Sequence, residues 1–140
     1  MIRSFHVIGM ALINRSGGGS NATQHRRFLS FYGASSRVCH QLWHLLLKAK
    51  IIAEFPALMQ EHLLWALFFL KVYGTENVQA SIVGADEKTY RKWIWIVIEW
   101  MSNLDVVSYF SKKNHFLLFA SCFYSLFFSF PLFRFAGRQD

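Results

Sequence analysis

From Leu63 to Leu70 eight consecutive residues, Leu-Leu-Trp-Ala-Leu-Phe-Phe-Leu, are apolar, so a helix through them is apolar on every side. Eight residues are too few to cross a bilayer, which takes about 20. Such a helix must be surrounded by other helices, and this requirement shapes the reading of the whole chain. Pro56 suits the first turn of this helix, where a missing N–H costs nothing, and Gly74 suits a left-handed residue at its end. The sequence therefore predicts a core helix over 56–73.

The flanking segments supply partners. Ser35 or Ser36 can cap a helix over 36–49 in which Val38, Leu42, Leu45, Leu46 and Ala49 recur at helical spacing. Thr75 can cap a short helix ending near Val83, Gly84 allows a sharp turn, and Asp86 caps a helix over 87–104. In the last of these, Tyr90, Trp93, Ile94, Val97, Trp100, Met101 and Leu104 fall in helical register. Trp95, Ile96 and Ile98 also admit a strand over 93–98, but the longer register favours the helix. At 140 residues the chain has room for one compact domain. The expected fold class is all-α: a helical module over 35–107 containing a helix-turn-helix, flanked by a flexible basic arm (1–34) and an apolar tail (108–140).

The arm reading rests on Gly17-Gly18-Gly19-Ser20 and on the lack of a period over 14–34 that would bury a face. Phe5 to Ile13 is apolar, but His6 interrupts it and no small-residue cleavage site follows, so no signal peptide is read. Asn21-Ala22-Thr23 fits a glycosylation acceptor, a triplet too common to weigh. In the tail, Phe supplies eight of the twenty residues from 116 to 135, and 116–133 is an uncharged run of 18. As a helix that run would span about 27 Å, just enough for a membrane anchor. Pro131 shortens it, and Lys112, Lys113, Arg134 and Arg138 balance its ends. The competing and preferred reading is translation of a pyrimidine-rich noncoding stretch, whose codons specify Phe, Leu, Ser and Pro.

Charge points to an anionic partner. Net charge is +7, and no Asp or Glu precedes Glu54, whereas Arg3, Arg15, Arg26, Arg27, Arg37, Lys48 and Lys50 do. The two cysteines, Cys39 and Cys122, can build neither a disulfide framework nor a four-thiolate zinc site, and are read as reduced thiols. His40 and His44 have the i, i+4 spacing of a helical zinc pair, but Gln41 stands where a general-base Glu would be needed and no third ligand stands out. Cys39 and His40 are adjacent on a helix and point apart, which excludes a nucleophile–base pair. No metal, cofactor or catalytic residue is expected. Trp93 and Trp100 are assigned to the core, while Trp95 is left open between core and base stacking.

The segment 75–97 carries the functional candidate. A helix-turn-helix needs a small residue where its first helix meets the second and glycine four positions on, and Ala80 and Gly84 fit. Val83, Tyr90 and Trp93 supply the packing. Lys88, Arg91 and Lys92 share the opposite face, with Thr89 beside them, and these four are the candidate DNA contacts. Cations in the first turns of a helix oppose its dipole, so a phosphate there would satisfy both. On the other side of the balance, a helical hairpin with solvated cations has the same pattern, and Asp86 and Glu87 reduce the positive field.

Three segments strengthen the DNA reading: Phe31-Tyr32-Gly33, the block from His62 through Leu70 to Lys71-Val72-Tyr73, and Lys88-Thr89-Tyr90-Arg91-Lys92-Trp93. In order and spacing they resemble the N-terminal region of transposon-encoded DDE superfamily transposases, over about 31–107. The resemblance implies a DNA-binding region that precedes a nuclease domain of RNase H-like fold, in which three acidic residues hold two divalent metals. This chain departs from the family pattern near Ser108, and Asp140 has no acidic companions, so nuclease activity is not implied. The expectation is a DNA-binding remnant of a transposase, not an enzyme, with weak, salt-sensitive affinity and nuclear location. The alternatives are a single-pass membrane protein anchored by 116–133, with membrane location, and the non-functional product of a degraded mobile element.

Overall fold

A computed structural model describes residues 2–13, 19–72 and 74–104. Among these the chain is all-α, as the sequence predicts, with helices α1 (Ile2–Leu12), α2 (Asn21–Tyr32), α3 (Ser36–Lys48), α4 (Ile51–Glu54), α5 (Gln60–Val72), α6 (Glu76–Val83) and α7 (Glu87–Asn103). The 116–133 run and Cys122 lie outside the described residues. No helix among those described is long and apolar enough to cross a membrane.

α5 is the centre. Leu63, Leu64, Ala66 and Leu67 are fully buried, and Trp65, Phe68 and Leu70 nearly so. α1, α2, α3, α6 and α7 all pack against it, which answers the demand of a helix apolar on every side. Each large side chain so buried stabilises the fold by about 1.5–3 kcal/mol relative to exposure. The N-terminus of α5 departs from expectation. Pro56 lies in an exposed turn after α4, and the helix starts at Gln60, where the Met59 N–H donates to His62 Nδ1 at 2.9 Å and supplies an orphan donor with a partner. Gly74 is not left-handed. A β-carbon there would lie 3.1 Å from Gln79 Nε2, so what Gly74 provides is close approach to α6.

The basic arm over 1–34 is corrected. Two helices, α1 and α2, occupy its described parts and complete the core with Phe5, Met10, Phe28 and Tyr32. The inward set of α2 is only Phe28, Phe31 and Tyr32, too short a register to stand out among Thr, Gln, His and Arg. Ser20 caps α2 by accepting from the Thr23 N–H, and Gly33 ends it at φ 71°. The α1–α2 crossing depends on Gly9. A β-carbon at Gly9 would come within 2.3 Å of the Phe28 ring, and the Gly9 carbonyl accepts the Tyr32 hydroxyl at 2.7 Å. Phe5 meets the Trp43 ring of α3 edge-on at 6.3 Å, and Phe31 stacks on Phe68 of α5 at 6.0 Å.

Phe28→Ala should therefore destabilise the protein by about 3–5 kcal/mol, a large part of the 5–15 kcal/mol that small domains possess. A chain starting at Ser35 should lose its cooperative transition. Urea titration followed by circular dichroism checks both, and an unchanged midpoint for Phe28→Ala would refute the role given to α2.

Candidate nucleic-acid interface

α6 and α7 form as the sequence predicts. Gly84 ends α6 at φ 73°, and the Ala85 N–H reaches back to the Ala80 carbonyl at 2.9 Å, the six-residue closure of a left-handed helix end. Asp86 caps α7, its carboxylate accepting from the N–H groups of Lys88 at 3.1 Å and Thr89 at 3.4 Å. Thr75 stands at the N-cap position of α6, yet its hydroxyl makes no capping bond. Residues 93–98 are helical, not a strand.

The inner faces lock together. Ala80 is buried where α6 meets α7, and Tyr90 is fully buried, its hydroxyl donating to Gln79 Oε1 at 2.9 Å. Burial pushes the Tyr90 pKa well above the usual range, with the negative charge of Glu76 adding to the rise. Gln79, only 1% exposed, escapes sequence reasoning because glutamine carries no apolar signal. The one hint is its place one residue before Ala80 on a short helix.

The four candidate residues do not behave alike. Lys88, Thr89 and Lys92 are exposed on the first two turns of α7. Arg91 is exposed as well, but its guanidinium is held by two carboxylates: Nε pairs with Glu76 of α6, and Nη2 pairs with Glu87 at 2.6 Å. These bonds, Glu76 first, raise the Arg91 pKa further. Glu76 also accepts from Trp95 Nε1 at 3.2 Å, and the Trp95 ring meets Phe69 of α5 edge-on at 5.5 Å. Arg91 and Trp95 together clamp α6 onto α7. Trp95, left open by the sequence, is half-buried in this clamp.

Lys92 Nζ sits 5.2 Å from the centroid of the Trp93 ring, whose plane stacks on His62 at 4.3 Å and 8°. The buried His62 has its pKa lowered from 6.5 to about 4 by desolvation. Its Nδ1 accepts the Met59 N–H, a role open only to the neutral ring. Elsewhere, the rings of His40 and His44 meet edge-on at 4.5 Å, and no group of three metal-ligating residues occurs among the described residues. Desolvation and His44 lower the pKa of His40. Burial raises the Cys39 thiol to about 12, which leaves it unreactive as a nucleophile. An open cleft of about 530 Å³ between α1 and α6 is lined mainly by Val7, Ile8, Leu12, Ile82 and Val83, with Glu61 its one ionisable group.

Comparison with models of protein families, with curated proteins and with solved structures finds no match.

Because the folded His62 binds a proton less readily than the unfolded one, its contribution to stability is complete above pH 6.5 and is lost as pH falls toward 4. Each unit below 6.5 costs at most about 1.4 kcal/mol. Urea midpoints at pH 7.5 and pH 5 should differ, and His62→Gln should be less stable at pH 7.5 but flatter with pH. An equally steep dependence in His62→Gln would refute the assignment.

Proposed function

We propose that this chain is a DNA-binding module without nuclease activity, descended from the N-terminal region of a DDE transposase and acting in the nucleus. In this reading α6 and α7 serve as the helix-turn-helix. The observation that carries it is the exposure of Lys88, Thr89 and Lys92 on the first two turns of α7 while Tyr90, Trp93 and Ile94 fasten the opposite side of the same turns to the core. A rigid helix presenting two ammonium groups without a carboxylate partner among the described residues, and a hydroxyl, suits binding to phosphates, which needs position and charge and carries no sequence preference. Descent from a transposase rests on the three sequence segments alone.

Arg91 takes a different part from the one its type suggests. Tied to Glu76 and Glu87, it braces the hairpin and offers little charge to a ligand. Asp86 and Glu87 lie within a turn or two of Lys88 and Lys92, and Glu76 reaches Arg91 from α6, so affinity at this surface is low and sensitive to salt.

Fluorescence anisotropy of the full-length protein on a short labelled duplex, over a range of salt concentrations, tests the reading. Each phosphate that a lysine neutralises adds about 0.9 to the slope of log affinity against log salt, so replacing Lys88 and Lys92 together with Ala should lower that slope by about 2. Adding Arg91→Ala should change the slope little further. A double variant with the wild-type slope would remove α7 from the interface.

A further inference from the structure

The net charge of this chain is not where α7 is. Seven basic residues and no acidic one precede Glu54, and the rest of the chain carries eight of each sign, so the whole +7 belongs to the residues before Glu54, where Arg3, Arg26, Arg27, Arg37 and Lys48 lie in α1 to α3. Around the α7 turns, by contrast, Glu76, Asp86 and Glu87 offset Lys88, Arg91 and Lys92 one for one.

α3 sets two of those cations, Arg37 and Lys48, in line with the His44 imidazole. Arg37, His44 and Lys48 follow one another at i, i+7 and i+11, which places them within about 40° of one another around the helix and extends them over about 16 Å. All three are exposed. Neither Arg37 nor Lys48 forms an ion pair among the described residues. Lys50 follows soon after Lys48, exposed and in the left-handed conformation at φ 63°. The acidic residue nearest in the chain is Glu54 on α4, which packs against α3. α3 packs on α1, α4 and α5, whereas α7 packs on α5 and α6, so the two cationic faces belong to different parts of the bundle.

The other side of α3 decides which polyanion fits. Cys39, Leu42, Trp43 and Leu46 are all buried in the core, and Leu47 is the one exposed apolar residue of the helix. A helix that lies in a lipid surface sinks a free apolar face into it, and α3 has none to offer. A line of exposed donors fits the phosphates of a nucleic-acid strand, which recur about every 3.4 Å along the axis. We propose that the outer stripe of α3, Arg37, His44 and Lys48, is the main electrostatic contact of this protein with a nucleic-acid backbone, separate from the α7 surface and independent of it.

The test uses full-length protein, a labelled duplex of about 20 base pairs and, in parallel, vesicles of phosphatidylcholine with phosphatidylserine. Arg37→Ala/Lys48→Ala should weaken duplex binding at least about tenfold at about 0.1 M salt and lower the salt slope by about 2, with the circular dichroism melt unchanged. The charge-conserving swap Arg37→Lys/Lys48→Arg should keep the wild-type slope, and a swap that flattens the slope as much as the alanine variant does overturns the proposal. An unchanged slope in the alanine variant, vesicle binding without duplex binding, or no binding to either overturns it as well. Lys88→Ala/Lys92→Ala, measured alongside, reports on α7 separately, so either surface can fail alone.

Discussion

Everything in this fold follows from the burial of α5. A helix that is apolar on all sides has no surface to give to water, and two partner helices could cover only part of it. Five do so here: α1, α2 and α3 from the N-terminal part, α6 and α7 from the C-terminal part. The fully buried Leu63, Leu64 and Leu67 therefore join two sequence-distant groups of helices into one core. This is also why the described parts of the first 34 residues are not an arm. Without Phe5, Met10, Phe28 and Tyr32, a side of α5 would stand against solvent, at about 25 cal/mol for each Å² of apolar area left uncovered.

The α6–α7 pair is fixed by polar ties at its edge as well as by packing. Gly84 turns the chain, Asp86 starts α7, and the Glu76 carboxylate then receives both Arg91 and Trp95. A charge-assisted bond to a guanidinium is stronger than a neutral one, but Arg91 is exposed and solvent screens the pair. Its effect is on geometry. With Arg91 drawn toward α6, Lys88 and Lys92 are left as the cations of these turns without a carboxylate partner among the described residues, and the His62–Trp93 stack beneath Lys92 gives that ammonium a flat, rigid support.

Much of the helical plan was legible from punctuation and period: Ser35, Gly84 and Asp86 stand where capping chemistry places them, and α3, α6 and α7 begin and end within a residue of expectation. What was hidden has identifiable causes. α2 carries its inward signal on three residues, and α1 relies on Gly9, whose role depends on the Phe28 ring that reaches it from a distant part of the chain. The start of α5 followed a side-chain cap from His62, which no helix-start rule anticipates, instead of Pro56. In the candidate site, exposure of Lys88, Thr89 and Lys92 could be read from register alone. The i, i+4 pairing of Arg91 with Glu87 was open to the same register, but its pairing with Glu76 was not, because Glu76 is fifteen residues away in sequence and becomes its partner only through the turn at Gly84.

The distance over which charge acts separates the two cationic surfaces. At physiological ionic strength, interactions between exposed charges fade beyond about 8 Å. Around the first turns of α7 the positive and negative groups are interleaved within that length, so their fields cancel before they reach a ligand still in solution, and Lys88 and Lys92 act only at close range. Over α1 to α3 no negative side chain interrupts the sequence, and the acidic residue nearest in the chain to Arg37 and Lys48 is Glu54 on the neighbouring α4. If the proposed nucleic-acid contact holds, a polyanion that comes within that length of α3 meets a face on which positive side chains outnumber negative ones. In that proposal, engagement of α7 would depend on whether the bundle can present a second face without giving up the first, because both halves are packed on α5 and their relative angle is set there.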